Sequence, residues 1–269
     1  MVQMHVTDDK SDNVDRAAEH IRTAAAEGAD LVVLPENFSF FGTDEELFDQ
    51  AESIDGPTLT NLGDVANECD VHVVAGTLKL KKAGQEKLVN ASAHISPDGI
   101  VKDLYEKIHI FNADVGGESY EGDTVEVGGD DIVLFDIGDI TVGMTVCFDV
   151  RFPELYRILA LRGADVILVP SLFTLHTGKD HWEPLLKARA IENQVYMVAP
   201  DVVGEYPPHS NRSYGRSLAI DPWGLVIAQA SDTETVVTAD LNTSVLEDAR
   251  SSVPTLPQRR PDTYDWPGK

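Results

Sequence analysis

Three side chains with latent reactivity sit at the ends of strand-length runs. Glu36 follows Leu31-Val32-Val33-Leu34-Pro35, Lys107 follows Ile100 to Glu106, and Cys147 follows Thr141 to Val146. Strand ends and the loops beyond them are where α/β folds gather functional groups. A free thiol with a pKa of about 8.5 is mostly protonated at neutral pH, so a nucleophilic cysteine needs a base or a nearby cation. Glu36 can be that base and Lys107 that cation, which suits covalent catalysis by a sulfur nucleophile. Each residue alone has a plainer reading: a buried cysteine is ordinarily a small hydrophobe, and a Glu or Lys at a strand end is ordinarily solvated. The setting of Cys147 argues for chemistry. Phe148-Asp149-Val150-Arg151-Phe152-Pro153-Glu154 follows it, with Pro153 suited to the first turn of a helix, so the thiol sits at a strand-to-helix elbow. Cys69 lies inside a helical stretch and reads as a packing residue.

The elements that must position these groups alternate between strand and helix periods. Val14, Ala17, Ala18, Ile21, Ala24 and Ala25 follow a helical spacing that ends at Gly28-Ala29-Asp30, and the run Leu31 to Leu34 reads as a strand covered on both faces. The pattern recurs. Gly28, Asp30 and Pro35 return as Gly163, Asp165 and Pro170; Ala66, Glu68, Val71, Val74 and Ala75 return as Ala190, Glu192, Val195, Val198 and Ala199. The hairpin Ile95-Ser96-Pro97-Asp98-Gly99 returns as Ile220-Asp221-Pro222-Trp223-Gly224, and Val2, Met4 and Val6 align with Val142, Met144 and Val146. Matches in conserved order along the chain predict two similar halves. Doubly covered strands require a helical layer on one side of each sheet and the other sheet on the opposite side. The expected architecture is an α/β fold, a four-layer αββα sandwich of two mixed sheets with internal pseudo-twofold duplication. Residues 1–269 are expected to form a single domain with a C-terminal tail over about 251–269. Lys79 to Lys87, Gly116 to Gly129 and Gly204 to Ser213 read as surface or rim loops.

Composition narrows the function further. The 269 residues carry 46 Asp plus Glu against 21 Lys plus Arg, a formal net charge of -25. Such a surface repels phosphate backbones and anionic bilayers, so neither nucleic acid nor membrane is an expected partner. Abundant Asp with scarce Lys points to a high-salt cytoplasm. There is no apolar run long enough to span a bilayer and no secretion signal, and two cysteines are too few for a disulfide framework; a cytoplasmic location is expected. Eight histidines form no His-Glu-x-x-His pattern and no tight Cys/His cluster, so no metal is expected; without a Gly-rich phosphate loop, no nucleotide cofactor is expected either. His109 and His181 are the nominal partners for a Cys-His dyad on Cys147. Arg151 with Glu154 and Arg189 with Glu192 read as internal ion pairs bracing the elbow.

The segments Gly28 to Asn37, Tyr105 to Phe111 and Cys147 to Glu154 resemble, in order, the three signature blocks of the nitrilase or carbon-nitrogen hydrolase superfamily. His181-Trp182-Glu183, Ala188 to Gln194, Asp221 to Gly224 and Arg259 to Asp262 extend the resemblance over nearly the whole chain, closest to the Nit branch of omega-amidase and deaminated-glutathione amidase. It implies a Glu36, Lys107, Cys147 triad, cofactor-free hydrolysis of a small linear carboxamide through a thioester, and an oxyanion hole formed by Lys107 and the backbone N–H of Phe148. It also implies a second glutamate steadying the lysine, placed at Glu121 with Glu118 as runner-up. Phe173 and Trp182 are candidate pocket walls, and Arg212 or Arg216 is a candidate anchor for a substrate carboxylate. An N-carbamoyl amine or amino-acid hydrolase, and a non-catalytic binding protein on the same fold, are the competing readings. The resemblance also implies association through the helix after the nucleophile, here Pro153 to Leu161, and the C-terminal segment, so a homodimer or larger homo-oligomer is expected.

Overall fold

A computed structural model of the protein describes residues 1–208 and 211–264. Helix Lys10–Ala26 starts where Asp9 accepts the amide of Asp12, and it buries Val14, Ala17, Ala18, Ile21 and Ala24 along one face. Helix Pro57–Cys69 begins on a proline and ends at Asp70, whose φ of 52° turns the chain into the next strand. Both helices pack on the first sheet. There Leu31–Val33 runs parallel to His72–Val74, which runs antiparallel to Val89–Ile95, which in turn runs antiparallel to Val101–Glu106.

The second sheet repeats the same order of senses. Val166–Leu168 is parallel to Tyr196–Ala199, which is antiparallel to Leu218–Ile220, which is antiparallel to Val226–Gln229. Ile140–Met144 extends this sheet in parallel beside Val166–Leu168. Alternation along the strands shows how the layers stack. Val32 and Val73 share a core with Ala17, Ile21 and Leu62 of the helices, whereas Val33 and Val74 share one with Val142 and Met144 of the other sheet. The rings of His94 and Phe135, one from each sheet, stack with centroids 3.7 Å apart. Helices Pro153–Leu161 and Leu175–Asn193 cover the second sheet with Leu155, Leu159, Leu186 and Ala190. The architecture is an α/β sandwich with helices outside two mixed sheets.

Three local features differ from the pattern read in the sequence. The opening strand does not copy its counterpart Ile140–Met144: its ladder is Val2–Gln3, antiparallel to Thr235–Val236. Gln3 explains the choice, since its Nε2 donates to Ser231 O and Thr233 O and its Oε1 accepts the Ser217 amide. Lys79 is not a surface-loop residue but the middle of strand Leu78–Leu80, 8% exposed. The tail begins inside helix Thr243–Ser252, which Gln194 holds by donating to Ala249 O and Val253 O; residues 265–269 of the tail, and 209–210 of the Gly204 to Ser213 loop, lie outside the described residues. Among the described residues, no helix is long and apolar enough to cross a membrane.

Candidate active site

Cys147 sits on a backbone that most residues avoid. Its φ is 45°, a left-handed conformation costing a side-chain-bearing residue on the order of 1–2 kcal/mol, so its neighbours must over-determine it. They do. The Cys147 amide donates to Pro170 O at 2.9 Å, and Thr145 ties the end of the strand to Leu168 O through both its amide and its hydroxyl. Asp149, with no exposed surface, accepts hydrogen bonds from the Val146 amide, the Tyr105 hydroxyl, and the backbone and ring of His109. That one carboxylate ties the elbow to the segment leading to Lys107. The elbow opens into the 3-10 turn Cys147–Arg151, and the Phe148 amide lies in its first turn, where N–H groups lack a partner within the helix.

Glu36 and Lys107 meet at this elbow. Lys107 Nζ donates to Glu36 Oε1 at 2.7 Å, with both side chains no more than 5% exposed. Asn90 Nδ2 donates to the same oxygen at 3.2 Å, and the Leu172 amide donates to Oε2 at 2.9 Å. The Cys147 thiol faces Leu172 O at 3.8 Å. Burial pushes the Glu36 carboxyl up, but the charge and hydrogen bond of Lys107, helped by Lys79, outweigh it and hold the group below its ordinary 4.5. Burial works against the Lys107 ammonium too, and Glu36, Cys147 and Glu126 together raise it above its ordinary value. Burial and the Glu36 charge drive the thiol the other way, well above its usual range despite Lys107. At rest, then, the site holds a neutral thiol beside a carboxylate: a nucleophile that must lose its proton as it attacks, next to the group able to take it.

The three strand-end residues converge, whereas the other candidates scatter. Phe148 and Phe173 line the cavity that ends on Cys147. Trp182 is not a wall: wholly buried, it donates to Arg216 O and packs behind Phe173, with centroids 5.0 Å apart. Glu121 ends the hairpin strand Glu118–Glu121 at the cavity rim, exposed to solvent, and makes no ion pair with Lys107; Glu118 makes none either. After the turn Gly122–Thr124 the chain brings Glu126, five positions on, to the cavity lining, and its charge adds to that of Glu36 in favouring the Lys107 ammonium. Arg212 is exposed, and Arg216 is paired with Asp232 at 2.9 Å; neither lines the cavity.

The cation on the cavity wall is Arg151. It forms no ion pair with Glu154 and, among the described residues, none with any carboxylate. Its guanidinium lies 5.2 Å from the Phe173 ring centroid and 6.0 Å from that of Phe148, and it contacts His181 Nδ1 at 3.3 Å. Arg189 does pair with Glu192, at 2.8 Å, and braces the elbow through Val150 O. His109 is held by Asp149 and stacked on Phe152, and it does not line the cavity with Cys147. Among the described residues no cluster of three or more His, Cys, Asp or Glu side chains is arranged to hold a metal. Sequence reasoning missed Glu126, Asn90 and the unpaired state of Arg151. The position of Arg151 four residues after the nucleophile, on the turn that must face the same hollow, was the available signal for the last.

Fold and site together define a class. The carbon-nitrogen hydrolase family matches residues 1–251, and the chain belongs to that family. It is 38% identical to omega-amidase NIT2 of Bos taurus over 272 aligned residues, covering 100% of this chain and 97% of that one. It is 37% identical to a deaminated glutathione amidase of Synechocystis sp., covering 96% of each. Saccharomyces cerevisiae Nit3, a member of branch 10 of the nitrilase superfamily, superposes with a TM-score of 0.87 at 30% identity, covering 97% of this chain and 95% of that one.

Proposed function

We propose that this amidase hydrolyses small linear carboxamides carrying a carboxylate at the far end, with Cys147 as nucleophile, Glu36 as general base and acid, and Lys107 as oxyanion donor. One observation carries the substrate class: a cavity of about 630 Å³ that ends on Cys147 and has on its wall a guanidinium, Arg151, with no carboxylate partner among the described residues. A carboxylate at the far end of the amide completes that pairing. The omega-amidase and deaminated glutathione amidase relatives support the same reading.

Each step follows from the protonation states at the site. As Cys147 Sγ attacks the amide carbon, its proton passes to Glu36, and the new oxyanion is held by Lys107 Nζ and the Phe148 amide. Glu36 returns the proton to the amide nitrogen, the carbon-nitrogen bond breaks and ammonia leaves, which creates a thioester. Glu36, ionised again, takes a proton from water as the water attacks the thioester; the carbon–sulfur bond then breaks, Glu36 returns that proton to Cys147 Sγ, and the acid leaves with the thiol restored. Asn90 and the Leu172 amide hold the carboxylate in place through both proton transfers. The chain works as a single domain with no cofactor, in a salt-rich cytoplasm suited to its charge of -25. It pairs with a second copy through helix Pro153–Leu161, where Ile158 and Leu161 are exposed.

The test is an ammonia-release screen over ω-carboxamides of dicarboxylic acids, their neutral analogues and N-carbamoyl compounds. Wild type should release ammonia from the first group, while Cys147→Ala and Cys147→Ser should release none. Carbon dioxide accompanying the ammonia would move the substrate to the carbamoyl class. Turnover by Cys147→Ala would remove the mechanism, and silence from the wild type on every amide would favour a binding protein.

A further inference from the structure

Next to the Glu36–Lys107 pair lies a second buried ion pair that none of these steps uses. Lys79 Nζ stands 2.5 Å from Glu126 Oε1, with the side chains 5% and 13% exposed. A lysine normally runs its stem to the surface and leaves the ammonium in water. Here strand Leu78–Leu80 pairs with Val89–Ile95 so that Lys79 is directly opposite Asn90. Asn90 touches both members of the catalytic pair: Nδ2 donates to Glu36 Oε1, and its carbonyl accepts the Lys107 amide. Glu126 is fixed by backbone bonds on either side, from Leu88 N to Val125 O and from Val127 N to Leu88 O, and it lines the cavity. Burying an ion pair costs several kcal/mol per charge before attraction repays it, and apolar residues of similar volume often do as well or better. Stability is thus a poor reason for a second pair at this place.

We propose that Lys79 and Glu126 are positioning residues for the hydrolysis, a second ion pair whose charges hold the Glu36 carboxylate and the Lys107 ammonium in their working protonation states. The proposal rests on the Cys147 reading above. Around the site the charges alternate, with Glu36 negative, Lys107 positive, Glu126 negative and Lys79 positive. Lys79 favours the ionised form of Glu36, and Glu126 favours the ionised form of Lys107. The other ionisable groups bearing on Glu36 are Lys107, the Cys147 thiol and the carboxyl of Asp201; on Lys107 they are Glu36 and Cys147. Neutralising one member of the second pair leaves its partner's charge uncompensated beside the catalytic pair, and the sign depends on which member is removed.

Opposite signs separate this role from mere packing. The full-length wild type, Lys79→Met, Glu126→Gln and the double variant are compared by the pH dependence of kcat/KM and of Cys147 alkylation by iodoacetamide. Cys147→Ala provides the correction for labelling at Cys69. The acid limb should rise in Lys79→Met, fall in Glu126→Gln, each by roughly half to one pH unit, and return toward wild type in the double variant. Lys79→Met should lower kcat more than it raises KM. If Lys79→Met does not fold, Lys79→Gln, which keeps a hydrogen-bond donor for Glu126, takes its place. Limbs that stay put, or that move the same way in both single variants, overturn the proposal. Alkylation needs no amide substrate, so unshifted alkylation limbs would sink this inference alone, whereas turnover by Cys147→Ala would sink the reading beneath it.

Discussion

Lys107→Met is the most searching perturbation of this site, because it removes an oxyanion donor and the counter-charge of the base in one step. Losing one such donor costs about 10²–10³ in kcat, or about 2.7–4 kcal/mol. The 2.7 Å bond to Glu36 goes as well, and with it the strongest influence opposing burial of that carboxyl. Glu36 then rises above its ordinary 4.5, carries a proton at rest and cannot accept one from the thiol, so the fall in kcat should exceed the donor figure. Stranding a buried carboxyl costs about 3–5 kcal/mol of stability, which corresponds to roughly 6–20 °C in Tm for a chain of this size.

The pH dependence of that loss is the sharper measurement. In the wild type the Glu36 carboxyl is held below its unfolded value of 4.5, so its contribution is complete above that pH and is lost as pH falls through the folded value. The Lys107 ammonium is held above its unfolded value of 10.5, so its contribution is complete below that pH and is lost as pH rises through the folded value. Between the two the pair contributes in full. In Lys107→Met the sign for Glu36 reverses: folded chains keep a proton that unfolded chains shed above 4.5, and stability declines as pH rises from there. The gap in Tm between wild type and variant should therefore narrow as pH falls from 8 toward 4.5, followed by thermal melts alongside steady-state ammonia release. A kcat within tenfold of wild type, or a Tm gap indifferent to pH, would refute the reasoning.

Two other predictions address the cavity wall and a buried carboxyl behind it. Arg151→Met should raise KM for a carboxylate-bearing amide by about 10- to 100-fold while leaving a neutral analogue of the same length within a few-fold, the loss of a charge-assisted bond of about 1.5–3 kcal/mol; equal losses on both compounds would detach Arg151 from substrate binding. Asp201 has no exposed surface, its Oδ1 accepts from the Phe173 amide and the Ser213 hydroxyl, and its Oδ2 has no partner among the described residues. Burial raises this carboxyl well above its ordinary 3.8, so it lowers stability as pH rises past that value, and Asp201→Asn should melt higher than wild type at pH 7 with the gain vanishing near pH 3.8. A lower Tm for Asp201→Asn at neutral pH would show that an ionised Asp201 supports the fold.

The repeat was legible because buried strands leave short apolar runs ended by Pro or Gly, and those marks survive in both halves. Glu36 was legible for the same reason, since it follows Leu31 to Pro35 directly; Lys107 and Cys147 end strand-length runs that lack that mark, and the resemblance of their flanking residues singled them out. What escaped the sequence was side-chain direction at loops and edges. Glu126 lies five positions after Glu121, and only the 3-10 turn between them decides which carboxylate points inward. Lys79 sits among Lys81, Lys82 and Lys87, so composition reads a solvated loop where strand pairing buries one ammonium. Arg216 and Arg151 differ in whether an aspartate lies beside them; Asp232 satisfies the first from sixteen positions away along the chain. Long-range pairing is likewise invisible to local pattern, as the partner of Val2–Gln3 shows.

That pairing has a consequence for how the protein is made. Val2 is matched to Val236, so during synthesis this strand emerges long before the one that receives it. Gln3 waits as well for Ser217 and Ser231. Until residues 217–236 have left the ribosome, Val2–Gln3 is an unzipped ribbon with free amides, the kind of surface that seeds misassembly. Closure must be a late event with a large loop-entropy cost, and refolding from denaturant should end on it.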